Sequence, residues 1–105
     1  MEQKIVNVIE RFKSLLSSRI IVSDIIVYGS RARDDATEHS DLDVLVVVEE
    51  SNHRIDNIIS DCAWEAGFPY DIVVVPIVIT AGALKDSPIR VSSFIRAVYR
   101  EGLSV

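Results

Sequence analysis

The sequence has little of what would take the chain out of the class of ordinary globular domains. The 105 residues include four glycines, three prolines and a single cysteine. Because there is only one cysteine, an intrachain disulfide and a cysteine-based zinc centre are excluded. The longest apolar run, Ile72–Thr80, contains Pro76 and is less than half of the roughly 20 residues that a membrane-spanning helix needs. The opening residues are charged and lack the apolar core of a signal peptide. We therefore expect a cytoplasmic protein without a membrane segment.

Basic residues are also scarce. Eleven Lys and Arg against 16 Asp and Glu give a formal net charge of −5. Because binding to a nucleic-acid backbone depends on clustered basic side chains, extensive nucleic-acid binding is disfavoured. A small anion carried with metal ions, or a basic protein partner, remains compatible with this charge. Cys62 lies on the apolar side of a helical pattern and is interpreted as a buried structural thiol.

Apolar residues make up 49% of the chain, and their spacing predicts alternating helices and strands. Long amphipathic helices are predicted over Glu2–Ser18 and, after a cap at Ser51 or Asn52, up to Gly67. Apolar and β-branched runs predict three strands. These strands are Ile25–Tyr28, a central Asp41–Val48, and Tyr70–Ile79 with an edge or a bulge at Pro76.

Shorter segments complete the prediction. Ser30 is expected to cap a short helix, Arg31–Ala36, and Ser87-Pro88 to open a last helix. Leu103–Val105 could add a short terminal strand. The residues of the last helix that are predicted to face inward are Val91, Phe94, Ile95, Val98 and Tyr99. The order predicts an α/β (α+β) fold in a single domain, residues 1–105, with a central mixed sheet of three to four strands covered by helices.

Two aspartates mark the start of the central strand. Because side chains alternate along a strand, Asp41 and Asp43 project to one face with Cα atoms about 6–7 Å apart. If the third strand pairs beside this one, Asp71 can join them. Three clustered carboxylates are costly without cations, whereas two Mg²⁺ ions would satisfy them and could clamp a phosphoryl displacement. The alternative is a polar strand entry with solvated carboxylates.

The Gly-Ser step after the first strand supplies a complementary phosphate site. Gly29 lets the backbone approach a ligand, Ser30 offers a hydroxyl, and the N–H groups at a helix start favour an anion. Arg31 and Arg33 fall in the first turn, where the helix dipole disfavours cations, so a phosphate ligand would explain their placement. Surface ion pairs with neighbouring carboxylates are the alternative.

The remaining aromatic and histidine side chains are assigned structural roles. Trp64 and Tyr99 are interpreted as packing residues. Tyr28 could line a nucleotide pocket but is interpreted as a core strand residue. His39 and His53 are expected to be exposed, because neither has a second ligand at metal-binding spacing.

A resemblance to a known family rests on three segments of the chain. These are Gly29-Ser30-Arg31-Ala32-Arg33, Ser40-Asp41-Leu42-Asp43, and Asp71 ahead of the third strand. Together they resemble the minimal nucleotidyltransferase (MNT) family of the DNA polymerase β superfamily. The resemblance implies a polymerase β-like fold and transfer of a nucleoside monophosphate, foremost AMP from ATP, to a hydroxyl. It also implies two Mg²⁺ ions, for which Mn²⁺ could substitute.

The same resemblance implies roles for individual residues. Asp41, Asp43 and Asp71 would be catalytic residues and metal ligands, with Asp71 also orienting or deprotonating the acceptor. The residues implied to bind the nucleotide are Gly29, Ser30, Arg31, Arg33 and Ser40. Asp34 departs from the family pattern, since many relatives have glycine there, and its negative charge bears on nucleotide affinity.

Small members of this family are commonly paired, as antitoxins, with a helical HEPN-type toxin. The resemblance therefore implies a protein partner, which such antitoxins adenylylate on a tyrosine or neutralise by binding. Two alternatives stay open: a non-catalytic binding module that neutralises a partner, and a transferase acting on a small molecule such as an aminoglycoside. Homo-oligomer formation is also left open.

Overall fold

In the computed structural model, which describes residues 1–88 and 92–105, helices alternate with strands. The helices are α1 (Gln3–Ser17), α2 (Ser30–Arg33), α3 (His53–Gly67), α4 (Ala81–Asp86) and α5 (Ser93–Glu101). The strands are β1 (Val22–Tyr28), β2 (Leu42–Val48), β3 (Val74–Thr80) and β4 (Leu103–Ser104). A 3₁₀ turn, Phe68–Tyr70, separates α3 from β3. The predicted inward position of Val91 lies outside the described residues.

The four strands form one mixed sheet in the order β3-β2-β1-β4. β1 runs antiparallel to both β2 and β4, whereas β2 and β3 are parallel. The α/β class, the mixed sheet and the short terminal strand are thereby confirmed. Because β1 and β2 run in opposite directions, the end of β1 and the start of β2 meet at the same edge of the sheet.

Helices cover both faces of the sheet, and β2 is buried from both sides. On one face Phe12 of α1 and Ile59 of α3 belong to the same buried cluster as Val44 of β2. On the other face Leu45 of β2 is clustered with Ile95 of α5. Each of these side chains stabilises the fold by about 1.5–3 kcal/mol relative to exposure. The prediction that this strand is central and buried on both faces is confirmed.

Pro76 lies on the edge strand β3, as its presence predicts. The Val73 carbonyl accepts a hydrogen bond of 2.9 Å from the Leu42 N–H, so the backbone of Val73 is directed toward β2. Because backbone groups alternate along a strand, the Pro76 nitrogen is directed away from β2, where no donor is needed. The proline also leaves the free edge of the sheet without an N–H group at that point.

The short helix after β1 differs from its prediction at both ends. α2 begins at Ser30, and its N-cap is Gly29 rather than Ser30. It ends at Arg33 because Asp34 adopts a left-handed conformation, with φ of 60°. The predicted range Arg31–Ala36 is therefore wrong by one residue at its start and three at its end.

The segment before β3 also differs from its prediction. A strand was expected from Tyr70, but the chain forms the 3₁₀ turn there and Asp71 is left-handed, with φ of 55°. β3 begins only at Val74. The last helix likewise begins later than Ser87-Pro88, at Ser93, where the Ser92 hydroxyl caps it by accepting from the Ile95 N–H at 3.2 Å.

Trp64 and Tyr99, the two aromatic side chains that are predicted to be packing residues, are exposed. Trp64 is 68% exposed and contacts Phe68, with ring centroids 5.5 Å apart. Tyr99 is 49% exposed, so its predicted inward position is wrong. Cys62 is buried and its thiol lies 3.9 Å from the Arg19 guanidinium, which agrees with a structural role.

Within residues 1–88 and 92–105, no helix is both long enough and apolar enough to cross a membrane.

Candidate active site

The candidate site is built around the turn at Gly29, where β1 ends and α2 begins. Gly29 has φ of 77°, a conformation that side chains rarely adopt. A Cβ placed on Gly29 would lie 2.7 Å from Oδ2 of Asp43. Glycine is therefore required twice over: for the backbone conformation and for the close approach of the Asp43 carboxylate. The predicted glycine turn and one predicted aspartate are in direct proximity.

Asp41 directly precedes β2 and Asp43 is its second residue, on the edge of the sheet where β1 ends. Asp43 lies opposite Tyr28 in the antiparallel pairing of β1 and β2. The Asp43 side chain is half-buried and Asp41 is exposed. Burial raises the pKa of Asp43, the negative charge of Asp41 raises it further, and Arg33 opposes both effects. The pair concentrates negative charge that a cation would relieve.

Arg33 is the arginine that borders this site. Its side chain is 46% exposed and its guanidinium lies 3.1 Å from Asp35 and 3.5 Å from Glu101. These contacts agree with the alternative of surface ion pairs. The guanidinium also acts electrostatically on Asp43, so its positive charge lies near the carboxylate pair. Glu101 was missed from the sequence, because 68 residues separate it from Arg33 and no motif marks it.

A cavity of about 140 Å³ adjoins the glycine turn. Tyr28 and Phe94 form part of its wall, with ring centroids 5.5 Å apart and planes inclined by 57°. The other lining residues are Gly29, Arg33, Ala97, Val98 and Glu101. Burial and the nearby Asp43 raise the pKa of Tyr28. The cavity thus sets an aromatic wall beside the glycine turn, and no sequence motif indicated Phe94 in this role.

Arg31 points away from the site. Its side chain is 4% exposed, Nη2 donates to the Ser40 carbonyl at 2.9 Å, and Nη1 lies 3.6 Å from the Glu2 carboxylate. In the described part of the chain its Nε is buried without a hydrogen-bond partner. The guanidinium is enclosed in this arrangement, and a phosphate contact of Arg31 stays a prediction. The Arg31 side chain ties α2 to the segment that leads into Asp41.

Ser40 and Ser30 are placed differently from each other. The Ser40 hydroxyl accepts from the Thr37 N–H at 2.9 Å and so shapes the loop before Asp41. Ser30 follows Gly29 as the first residue of α2 and is half-buried. Ser30 therefore adjoins the glycine turn, whereas the Ser40 contacts are those of a loop-forming residue.

Asp71 does not join the acidic pair. It is exposed, its N–H donates to the Phe68 carbonyl at 3.2 Å, and it lines a groove with Trp64 and Phe68. Across the described ranges, no three His, Cys, Asp or Glu side chains are close enough together to hold a metal ion. The three predicted carboxylates are not clustered in this arrangement, because β3 begins three residues after Asp71 instead of containing it. A metal-binding role for Asp71 stays a prediction.

The carboxylate pair still fits one divalent cation. Mg²⁺ is usually bound by one or two carboxylates together with substrate phosphates and water. Asp41 and Asp43 supply that oxygen donor set beside a turn from which a side chain is excluded. The residues that the structure brings together do not supply a third carboxylate for a second ion.

Fold and site together define a class: a small α/β domain in which an acidic pair and a glycine turn meet at one edge of a mixed sheet. The chain belongs to the nucleotidyltransferase domain family, whose model matches residues 5–99.

Individual relatives agree with this assignment. A Methanocaldococcus jannaschii protein provisionally named a protein adenylyltransferase is 34% identical over 50 residues, 48% of this chain and 50% of that protein. The match thus spans half the length of this curated relative.

Two solved structures share the fold at 18% identity. A chain of a toxin-antitoxin structure with AMP-PNP has a TM-score of 0.63, covering 90% of this chain and 69% of that one. A chain of the complex between the tri-AMPylated Shewanella oneidensis HEPN toxin and its MNT antitoxin has a TM-score of 0.57. That match covers 97% of this chain and 71% of the other.

Proposed function

We propose that this chain transfers AMP from ATP to a hydroxyl group of a protein partner and releases pyrophosphate. The observation that supports the proposal is the approach of the Asp43 carboxylate to the Gly29 turn, since a carboxylate there could hold a cation beside a bound triphosphate. In the reaction the acceptor oxygen forms a bond to the α-phosphorus, and the bond from that phosphorus to the β-phosphate oxygen breaks. The acceptor proton passes to solvent.

Each residue of the site has a role in this proposal. Asp41 and Asp43 would hold Mg²⁺, or Mn²⁺ in its place, which would supply positive charge beside the triphosphate oxygens. Gly29 and Ser30 receive the triphosphate at the backbone of the turn. Arg33 offers its guanidinium to a phosphate oxygen.

The cavity beside the turn suits the remainder of the nucleotide. Tyr28 and Phe94 present aromatic faces on which a base can stack. Because the cavity lies next to Gly29, the base and the triphosphate would lie on opposite sides of the glycine turn. Guanine would stack as well as adenine, so the choice of ATP rests on the relatives that involve AMP-PNP or AMPylation.

The proposed acceptor is a helical HEPN-type toxin, for which this chain would act as the antitoxin in the cytoplasm. Support comes from the solved complexes that share this fold and from the name of the curated relative. The net charge of −5 also favours a basic partner.

Transfer of label from α-labelled ATP to the partner tests the proposal. The complex is purified from the native host and incubated with Mg²⁺, and the wild type is compared with the double variant Asp41→Asn, Asp43→Asn. Asp61→Asn, at an exposed position of α3, is a control because it removes a carboxylate outside the site. Label on the partner with the wild type and the control, but not with the double variant, is the expected result. Undiminished transfer by the double variant would refute the mechanism.

A second candidate is an antitoxin that neutralises its partner by binding alone. The observation in its favour is that only two of the three predicted carboxylates are brought together. Toxin neutralisation in cells distinguishes the two functions. Neutralisation that persists in the double variant would favour binding, and neutralisation that is lost while the complex still forms would favour transfer.

A further inference from the structure

An exposed pair of aromatic rings lies near the start of β3. Trp64 of α3 and Phe68 of the 3₁₀ turn are each 68% exposed, and their ring centroids are 5.5 Å apart. Large aromatic side chains dominate the energetics of protein interfaces, and neighbouring exposed apolar side chains mark interaction sites. The two rings are therefore a candidate contact for a partner.

A groove of about 210 Å³ connects these rings with the first residues before β3. Its other lining residues are Asp71, Ile72 and Val73, of which Val73 is 60% exposed. Because the Leu42 N–H donates to the Val73 carbonyl at 2.9 Å, the parallel register sets Val73 next to Asp41. Neighbouring strands are about 4.8 Å apart, so the groove ends beside the acidic pair. A partner held in the groove would bring its hydroxyl groups close to the candidate site.

The backbone of β3 does not suit the addition of a strand from a partner. β3 is an edge strand, and the Pro76 nitrogen is directed to its free edge, together with the N–H groups of Val74 and Val78. An added strand would find a donor at each valine and none at the proline between them. An occupant is therefore held through side chains, as an amphipathic helix is held in an apolar groove.

The charge of the groove indicates the chemistry of its occupant. Asp71 is the one charged side chain among the described residues that line it. Glu65, which is exposed, follows Trp64 on α3, and Asp41 lies at the far end of the groove. A second copy of this chain would bring these carboxylates together and would itself carry a net charge of −5, which is unfavourable. Apolar side chains flanked by basic ones would be complementary.

We propose that this groove docks an amphipathic helix with basic flanks, belonging to the protein partner. The apolar side chains of that helix contact Trp64 and Phe68. Its Lys or Arg side chains face Asp71 and Glu65. Exposed charge pairs contribute little individually, so the two rings supply most of the affinity. The proposal rests on the transfer function proposed above, because the docked helix belongs to the partner that supplies the acceptor hydroxyl.

The fluorescence of Trp64 tests the proposal directly, because it is the only tryptophan in the chain. The probe is a tryptophan-free synthetic helix with leucine at every third or fourth position and lysine beside the leucines. A matched peptide carries glutamate in place of lysine. At low salt the lysine peptide should shift the Trp64 emission to shorter wavelength and bind at least about tenfold more tightly than the glutamate peptide. No shift with the lysine peptide would overturn the proposal.

Variants of the chain locate the bound peptide. Phe68→Ala should weaken binding of the lysine peptide by about tenfold, because buried aromatic anchors carry much of the energy of an interface. Ile21→Ala is the matched control, since Ile21 is 83% exposed and lies outside the groove. Val73→Ser, at another exposed position of the groove, is the second test should Phe68→Ala fail to fold by circular dichroism. Wild-type affinity in the folded groove variants would overturn the proposal.

Label transfer separates this proposal from the function on which it rests. With the partner recovered from the purified complex, Phe68→Ala should raise the KM for the partner by about tenfold and leave AMP-PNP affinity unchanged. Transfer with an unchanged KM would overturn the docking surface and leave the transfer function standing. Docking of the lysine peptide by a wild type that transfers no label would refute the transfer function and support the docking surface.

Discussion

The two halves of the candidate site differ in how they are assembled. The half formed by β1 and β2 brings Gly29 against Asp43 through the pairing of strands that are adjacent in the sequence. The second half was expected to come from β3, which pairs in parallel with β2 after the chain has passed through α3. The aspartate expected there, Asp71, lies outside the site. The first half is set by a short motif, the second by the register of a distant strand.

The difference shows what a motif can and cannot specify. A glycine turn and an alternating acidic pair act over a few residues, so local geometry places them. When two strands are joined by a crossover helix, the register between them can shift by two or four residues with little change in the local sequence pattern. Such a shift moves a carboxylate away from its expected neighbours. We therefore expect variants in the first half to have the largest functional effects and variants at Asp71 the smallest.

The largest effect is expected from removing the charges of the acidic pair. The double variant Asp41→Asn, Asp43→Asn should lower label transfer by at least about a thousandfold, since a held metal ion contributes several kcal/mol to a transition state. Its Mn²⁺ binding should be lost in parallel, while circular dichroism should show an intact fold. Retention of Mn²⁺ binding by the double variant would show that the metal binds elsewhere, and it would contradict the difference drawn between the two halves of the site.

The next effect is expected at the glycine turn. Gly29→Ala places a Cβ 2.7 Å from the Asp43 carboxylate and requires an unfavourable φ, so it should lower the free energy of unfolding by about 1–3 kcal/mol. AMP-PNP affinity, measured by calorimetry, should fall as well. Gly82→Ala is the control: no atom lies within 4 Å of its added Cβ, and in a helix it should stabilise by about 0.5–1 kcal/mol. Similar urea-unfolding midpoints for the two variants would contradict this account.

The two arginines of α2 should separate stability from binding. Arg31→Ala leaves the Ser40 carbonyl without its donor and should lower the free energy of unfolding by about 1–3 kcal/mol. Arg33→Ala removes exposed ion pairs, with a cost of about 0–1 kcal/mol, but should weaken AMP-PNP binding. Urea denaturation and calorimetry on both variants measure the contrast. The reverse pattern would restore Arg31 as a nucleotide contact.

The smallest effect is expected at Asp71. Asparagine tolerates a left-handed backbone as aspartate does, so Asp71→Asn should change the free energy of unfolding by less than about 0.5 kcal/mol. Label transfer should stay within about twofold of the wild type, below the 1.4 kcal/mol that a tenfold change represents. A loss of transfer comparable to that of the acidic-pair variant would show that Asp71 reaches the site.

Much of the fold could be predicted from the sequence because its signals are local and periodic. The long helices follow from apolar spacing, and the continuous apolar run of β2 indicates burial on both faces. Two of the boundaries that were wrong, the end of α2 and the start of β3, depend on single backbone conformations. Asp34 and Asp71 are left-handed; Asp34 ends α2, and Asp71 lies before a later start of β3. An aspartate in the sequence does not indicate a left-handed conformation as a glycine would.

The site was predictable in the same uneven way. Gly29 and the acidic pair were found because adjacent strands bring them together. The burial of Arg31 was not foreseeable, since it depends on Glu2 and on the Ser40 carbonyl. Phe94 and Glu101 reach the site only through the packing of α5 against β1, which no short motif encodes.

Label transfer from α-labelled ATP with the single variants Asp43→Asn and Asp71→Asn tests the central claim most directly. The two changes remove the same charge, one beside the glycine turn and one beyond the start of β3. We expect a labelled partner with Asp71→Asn and no labelled partner with Asp43→Asn. A labelled partner with Asp43→Asn would contradict the proposed role of the acidic pair.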